Sequence, residues 1–494
     1  MTGRVAPMTA VLLRCDATTG GGLGHLARCV ALAQALRTHG VHDIHLSGAV
    51  TTELGERMLE PAGLQRHGPI DDPEQLIALA EDVGAGVLHI DHYGPFPGLR
   101  EAGRARGIVT STAVDDDFGK RPADVIVDGS PRALVRFDPL YATSSVALGP
   151  KNLVMREGLG SARTLREVRP RPHVLVMMGG TDAGGHGPRI ASSMAAIPAV
   201  GRVGLVADGV AAASPDFQVV ARNPDLRSLL EDWDVVVTGA GTTVWELAAL
   251  QVPMVVVGLV ENQRDHYGTL VGSGLAVGLG FLPDGSPLAI HEVAAAMADP
   301  LSLTRMAERA RGLVDGRGAR RVVRTWSEER ISRSRVGLRV RPASERDVGR
   351  LYAWRNDPAT RAASRSQEPV GWSDHVVWFA GAREATDRRV LVVESDGEPI
   401  ATTRFDRRDA DEWEFSITLA PEARGRGWAK AVVAESVAEF RSRSSSTALL
   451  LADVRTSNDA SNAVFQSLGW RPGTPGAGWM RWSLSGSEVR EDPT

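Results

Sequence analysis

His25 stands near the end of "GGGLGHLARC", residues 20–29, where a glycine-rich loop gives way to a helical pattern. In the first turn of a helix the backbone dipole disfavours an imidazolium, so a histidine there reads as a neutral ring able to accept a proton. That is the state of a general base. A core or capping histidine beside a loop that merely turns is the other reading. A second glycine run, "DVVVTGAGTTVWELAAL" at 234–250, is a strand, a turn and a helix start. Gly239, Gly241, Thr242 and Thr243 offer N–H groups and hydroxyls to a diphosphate there, though tight strand-to-helix packing also uses glycines. "GGTD" at 179–182 is a further strand-to-helix turn, with Gly180 and Asp182 near a ligand or in close packing, and Asn262 and Gln263 open the next helix toward the same crevice. Farther on, Arg424, Gly425, Gly427 and Ala429 in "APEARGRGWAKAVV" open an amphipathic helix, and the N–H groups of such a turn point at a pyrophosphate. Glu414, on the strand before it, is a candidate base for an ammonium, or a solvent-facing strand residue. Asp115, Asp116 and Asp117 read as a solvated loop rather than metal ligands, and no metal is expected.

Positioning these groups takes more than one core. A chain of 494 residues implies two or three domains, and 43% hydrophobic with 23% charged residues is a globular balance. The net charge of −4 without a long basic block argues against nucleic acid as the main partner. No apolar run approaches the roughly 18 residues of a membrane span. The opening "MTGRVAPMTAVLLR" has too short an apolar stretch for a secretory signal, so a cytoplasmic enzyme is expected. Cys15 and Cys29 are too few for a disulfide framework and read as small buried residues.

From residue 9 to about 315 the Val/Ile/Leu runs "AVLLR", "DIHLS", "GVLHID", "IVTSTAV", "VIV", "HVLVMM", "RVGLV", "DVVVT" and "PMVVV" alternate with helical patterns. They lack strict alternation, as strands covered on both faces do, so the fold class is α/β with parallel sheets. A Pro-rich charged break near 165–173 divides two doubly wound lobes, 9–165 and 170–327, with a cleft between them. A polar basic stretch at 328–336 reads as a linker. A third α/β domain follows at 337–485, with strands at 337–341, within 389–419 and at 447–453, helices near 344–354, 373–382, 427–441 and 459–468, and a last strand. The tail, 486–494, reads as disordered.

"RCDATTGGGLGHLARCVALAQAL" resembles the opening of the nucleotide-sugar hydrolases of pseudaminic acid biosynthesis, which release UDP from a 2,4-diacetamido-2,4,6-trideoxy altropyranose. "IDHYG" at 90–94, "VDDD" at 114–117, "LGPKNLVMR" at 148–156, "MGGTD" at 178–182 and "TGAGTTVWELAALQVPMVVVGLVENQ" at 238–263 follow in that family's order. The resemblance spans about residues 10 to 315 and implies a GT-B-like pair of lobes, with UDP on the C-terminal lobe and the histidine across the cleft. It implies ligand contact at Gly24 and Arg28, and Glu246 on the ribose hydroxyls. The opening loop is richer in glycine than usual, and "PKNL" departs from the common "PxYAL". Ordinary glycoside hydrolysis needs two carboxylates because the departing alkoxide must be protonated. UDP leaves as a stabilised anion, so one base to activate water and a positive cradle suffice. Asp91 and Tyr93 sit where they orient water or sugar, or where the aspartate caps a turn.

"ITLAPEARGRGWAKAVVAESVAEF" resembles the acetyl-CoA loop of the GNAT family of N-acetyltransferases, and "DVRTSNDASNAVFQSLGW" resembles their next strand and helix, with Asn458 and Asn462 at that family's positions. "LYAWRNDPATR" at 351–361 resembles the substrate side of the branch holding the pathway's aminosugar acetyltransferase, which implies substrate contact at Trp354 and Arg355. Where many relatives place a tyrosine as general acid this chain has Phe465, so another donor or water must act. Together the resemblances imply a UDP-linked aminosugar, acetyl-CoA and water as partners, without nucleic acid or membrane, and leave the oligomeric state open. A glycosyltransferase fused to an acetyltransferase, or a hydrolase with a regulatory acetyl-CoA module, are the competing expectations.

Overall fold

The computed structural model describes residues 8–18, 23–115, 117–156, 159, 167–178, 182, 184–207, 216–223, 225–285, 287–310, 312–444 and 447–486. Gly20, Gly21, Gly22, Asp116 and Gly180, with the tail from 487 onward, lie outside that set, as does the Asn262 side chain.

The first lobe is built on β1 (Ala10–Arg14), β2 (Asp43–Ser47), β3 (Gln65–His67), β4 (Ala85–Ile90), β5 (Val109–Ala113), β6 (Val125–Asp128) and β7 (Ser145–Leu148). The strands pair in parallel in the order β3-β2-β1-β4-β5-β6-β7. The second lobe holds β8 (His173–Met177), β9 (Arg202–Val206), β10 (Gln218–Val220), β11 (Val235–Gly239), β12 (Met254–Gly258) and β13 (Val277–Phe281), parallel in the order β10-β9-β8-β11-β12-β13. All five residues of β1 and of β11 are buried, which is why these strands read as unbroken apolar runs. In each lobe the strand order reverses once, between β1 and β4 and between β8 and β11. Ligands of doubly wound sheets bind outside the C-terminal strand ends at such a switch point.

The third sheet comprises β14 (Leu338–Pro342), β15 (Arg388–Ser395), β16 (Glu398–Asp409), β17 (Glu412–Leu419), β18 (Leu449–Arg455), β19 (Arg471–Pro472) and β20 (Trp479–Leu484), in the order β14-β15-β16-β17-β18-β20-β19. Its pairs are antiparallel except β17 with β18, which run parallel and pair only over Glu412–Glu414 and Leu449–Leu451. Beyond Glu414 the two strands part. The fold class is therefore as expected: two doubly wound lobes followed by a third α/β domain.

The stretch 328–336 is not a plain linker. A helix runs over Gly318–Arg333, and its apolar residues Ala319, Val322, Val323 and Trp326 join the core of the first lobe beside Cys29 and Leu32. The Trp326 indole donates to Ser111 Oγ at 2.8 Å. Basic residues that look solvated in the sequence find buried partners: Arg333 pairs with Asp124 and, at 3.0 Å, with Glu329. The helix also ties in the third domain, because Ser332 Oγ donates to Glu394 at 3.0 Å and Glu329 accepts from Arg346 at 3.2 Å. Tyr141, Val146 and Ile126 of the first lobe share one apolar cluster with Leu351, Trp354, Trp372 and Phe379 of the third domain. Burying side chains of that size contributes roughly 1.5–3 kcal/mol each, so the two units are packed together rather than merely tethered.

Candidate active sites

The chain after β1 enters the helix Gly24–Thr38, which puts His25 in its first turn, and the chain after β4 brings Asp91 beside it at the switch point. His25 Nδ1 lies 2.6 Å from Asp91 Oδ1. Arg28, one turn along the helix, donates from Nε to Asp91 Oδ2 and from Nη2 to Oδ1, both at 2.7 Å. Burial alone pushes a carboxyl up, but the charges of Arg28 and His25 outweigh it and hold the Asp91 carboxyl well below the usual range. An ionised Asp91 has no proton to give, so the proton in the short contact belongs to Nδ1 of His25. The approach of Arg28 Nη2 to the same Nδ1, 2.9 Å, is then a crowding of two donors around one carboxylate oxygen.

Arg28 also donates to Asp115 Oδ2 at 2.9 Å, and the Tyr93 ring meets the His25 ring edge-on with centroids 4.6 Å apart. Burial, then the Asp115 charge, push the Tyr93 phenol above its ordinary value, so it stays protonated. Asp115 is a site residue that the reading of 115–117 as a solvated loop missed. Its signal is visible only in space: two carboxylates from two different strand ends bracket one guanidinium. Asp117 is exposed and pairs with Lys120 at 2.8 Å.

Gly24 faces the second lobe closely: a Cβ placed on it would lie 3.6 Å from the Thr242 side chain. Gly239, Gly241, Thr242 and Thr243 form the turn from β11 into the helix Thr243–Ala249, tightened by Gly241 N–H donating to Gly239 O at 2.8 Å. Under the turn, His266 stacks on Trp245 and its Nδ1 lies 2.9 Å from Ala240 O. Gln263 reaches the turn but spends its carbonyl on the Leu259 N–H, at 2.9 Å. Glu246 is held by both arms of Arg156, at 2.9 Å each, so a ribose would have to share it. The Asp182 carboxylate accepts the His186 and Gly187 N–H groups at 3.0 and 2.9 Å, which ties it to the start of the helix Gly187–Ala195.

In the third domain the chain leaves β17 through Arg424-Gly425-Arg426-Gly427 into the helix Trp428–Arg443. Gly425 and Gly427 have φ of +72° and +80°, and a Cβ on either would meet nothing within 4 Å. The left-handed backbone demands glycine, and the space beside it is open. Arg424 braces the loop, donating to Thr360 Oγ1 at 2.8 Å and pairing with Asp357 at 2.7 Å. Ala429 lies half-buried in the first turn of that helix. On the sheet, a cavity of about 530 Å³ is lined by Arg365, Leu451, Asp453, Thr474, Trp479 and Arg481, beside the place where β17 and β18 part.

Residues 337–471 match the family model of the acetyltransferase (GNAT) domain. The third domain is a GNAT acetyltransferase domain. No curated protein matches the chain. Among solved structures, MurG from Acinetobacter baumannii is similar with a TM-score of 0.47 and 17% identity, over 64% of this chain and 98% of that one. The GNAT domain is similar to spermidine N-acetyltransferase from Vibrio cholerae in complex with CoA and spermine, TM-score 0.28 and 16% identity over 30% of this chain and 96% of that one. It is similar also to YncA from Salmonella typhimurium with its cofactor acetyl-CoA, TM-score 0.28 and 19% identity over 32% and 98%.

Several residues expected to act in the GNAT domain have partners within the protein. Trp354 is 5% exposed within the core shared with the first lobe. Asn458 caps the helix Asp459–Ser467 by accepting the Ser461 N–H at 3.1 Å. Asn462 is spent on Arg455 O at 3.0 Å and the Trp482 indole at 2.9 Å. Phe465 is buried between Trp470 and Trp482. Glu414 accepts from Arg408, whose Nε donates at 2.7 Å. Arg355, in contrast, has Nη1 buried without a hydrogen bond, and burial followed by the charges of Arg404 and Arg361 lowers its pKa.

Proposed function

We propose that this chain is a two-site nucleotide-sugar enzyme. The GNAT domain N-acetylates the 4-amine of a UDP-linked 4-amino-4,6-dideoxy sugar, and the cleft between the lobes hydrolyses the diacetamido product to UDP and free sugar with inversion. The observation that carries the second step is the His25–Asp91–Arg28 cluster at one switch point, with the glycine turn of the other lobe in contact with Gly24. Nε2 of His25 takes a proton from water, the water oxygen bonds to the anomeric carbon, and the bond from that carbon to the diphosphate breaks with its electrons going to UDP. Asp91 steadies the imidazolium that forms, and Arg28 keeps Asp91 ionised.

Acetyl-CoA, when bound, supplies a thioester whose acyl–sulfur bond breaks as the amine nitrogen bonds to the carbonyl carbon; the electrons of that bond leave with the CoA thiolate, and the proton lost from nitrogen balances the one the thiolate takes up. The open, left-handed turn at Gly425 and Gly427 has the form needed to seat its pyrophosphate. Arg355, whose cationic neighbours are Arg361 and Arg404, suits an acceptor that carries phosphates. Transfer of the sugar to an alcohol acceptor is the second reading, because a hydrolase and a glycosyltransferase can share a two-lobed cleft.

The test is phosphorus NMR and mass spectrometry with the UDP-4-amino-4,6-dideoxy sugar, with and without acetyl-CoA, in the native chain and His25→Asn. Acetylation followed by UDP release, with only release lost in the variant, is expected. UDP release only on addition of an acceptor overturns the hydrolase reading, and absence of acetylation overturns the first step.

A further inference from the structure

Ten large apolar side chains stand exposed among the described residues, and the two aromatic ones, Tyr93 at 45% and Phe118 at 44%, touch each other with centroids 5.2 Å apart. The pair continues the His25–Tyr93 contact, so one aromatic surface runs outward from the candidate base. Water-exposed aromatic surface of this kind is unfavourable unless something covers it. The surface is also held in place. Asp115 and Phe118 exchange backbone hydrogen bonds of 3.1 and 2.9 Å across a tight turn, and the Asp115 carboxylate is anchored by Arg28. The phenol of Tyr93 is turned toward Asp115, 3.4 Å away, and the Phe118 side chain is wholly apolar.

We infer that Tyr93 and Phe118 form the platform on which the hexose ring of the sugar nucleotide lies, and that Phe118 selects a 6-deoxy sugar over its 6-hydroxy counterpart. This rests on the reading of the cleft as a UDP-sugar site. The C–H face of a pyranose and a C6 methyl group cover aromatic carbon without losing a hydrogen bond. A 6-hydroxyl over the Phe118 ring gives up water to a face that offers it no hydrogen bond. An apolar surface discriminates modestly against an added hydroxyl, by at most about 10²-fold, so a preference on the order of tenfold is the effect to look for.

Titration calorimetry compares UDP, a UDP-6-deoxy-N-acetylhexosamine and UDP-N-acetylglucosamine on the full chain and on Phe118→Ala and Phe118→Leu. The native chain is expected to bind the 6-deoxy compound about tenfold more tightly than the 6-hydroxy one. Phe118→Ala loses that preference and most of the sugar's contribution, Phe118→Leu keeps part of it, and UDP binds all three proteins equally. Phe118 is exposed, so unchanged melting temperatures establish that the variants are folded. Equal affinity of the native chain and Phe118→Ala for both sugar nucleotides, with UDP still bound, overturns the platform alone. Failure of the native chain to bind UDP overturns the platform together with the UDP-sugar reading of the cleft.

Discussion

Asp91 lies beneath His25 with its Oδ1 2.6 Å from the ring Nδ1, and its side chain is 2% exposed. In the proposed hydrolysis an ionised carboxylate in that position fixes the proton on Nδ1, orients the ring and stabilises the imidazolium that forms. Asp91→Asn keeps the shape but replaces the charge and leaves Arg28 with a neutral partner. UDP release is expected to fall roughly 10²-fold in kcat with little change in KM, since general-base assistance has about that size. Acetyl transfer, measured on the same samples by thiol release, is expected to stay unchanged. Equal loss of both activities would mean the fold, rather than the base, had been damaged.

The turn proposed to seat acetyl-CoA can be tested without touching the cleft. Gly427 has φ of +80°, where any residue with a Cβ carries strain of roughly 1–2 kcal/mol. Gly427→Val adds that strain and places a branched side chain in the open space over the first turn of the helix Trp428–Arg443. Acetyl-CoA affinity, read by calorimetry, is expected to drop at least tenfold, while UDP release from an already acetylated sugar nucleotide is unaffected.

The GNAT domain and the first lobe should unfold together. Trp372 packs in their shared core and its indole donates to Ala133 O of the first lobe at 2.9 Å. Trp372→Ala removes a large buried aromatic and is expected to cost about 3–5 kcal/mol. Differential scanning calorimetry should show the GNAT domain and first lobe melting in one transition that moves down as a unit. Two separate transitions, with only one of them shifted, would contradict the shared core.

Acidification should destabilise the chain before its carboxylates titrate. Burial holds the His89 ring down to about 4, and His375 likewise to about 4. Both lie below the ordinary histidine value near 6.5, so the unfolded chain takes up the proton first. Between pH 6.5 and 4 the unfolded state binds more protons, and stability therefore falls as pH falls, by up to about 3 kcal/mol for each ring. The loss is complete once pH passes below the folded value. His67, His92 and His266 are lowered too, so His89→Gln removes one contribution among several, and the difference in urea midpoint between pH 7 and pH 4.5 is expected to shrink by that part. An unchanged difference would mean His89 does not carry it.

What the sequence determined by itself is local. Apolar runs such as "AVLLR" and "DVVVTG" announce buried parallel strands because both faces must be covered, and the turn at Gly425 and Gly427 announces itself because few other residues take a positive φ. The GNAT strands and helices were legible for the same reason, save for a short helix at Pro358–Ala363 and the two-residue β19, both too brief to show a period. His25 at a helix start was visible, but its partner was not. Asp91 is 66 residues away, and only the switch in strand order brings β1 and β4 side by side. In the same way packing alone assigns Asp182 to a helix cap, Trp354 to a domain interface and Glu246 to Arg156, and turns a basic stretch at 328–333 into the end of a docked helix. Periodicity tells which side chains need a partner. Which partner they meet depends on contacts between residues far apart in the chain, and those exist only once the sheets are stacked and the lobes face each other.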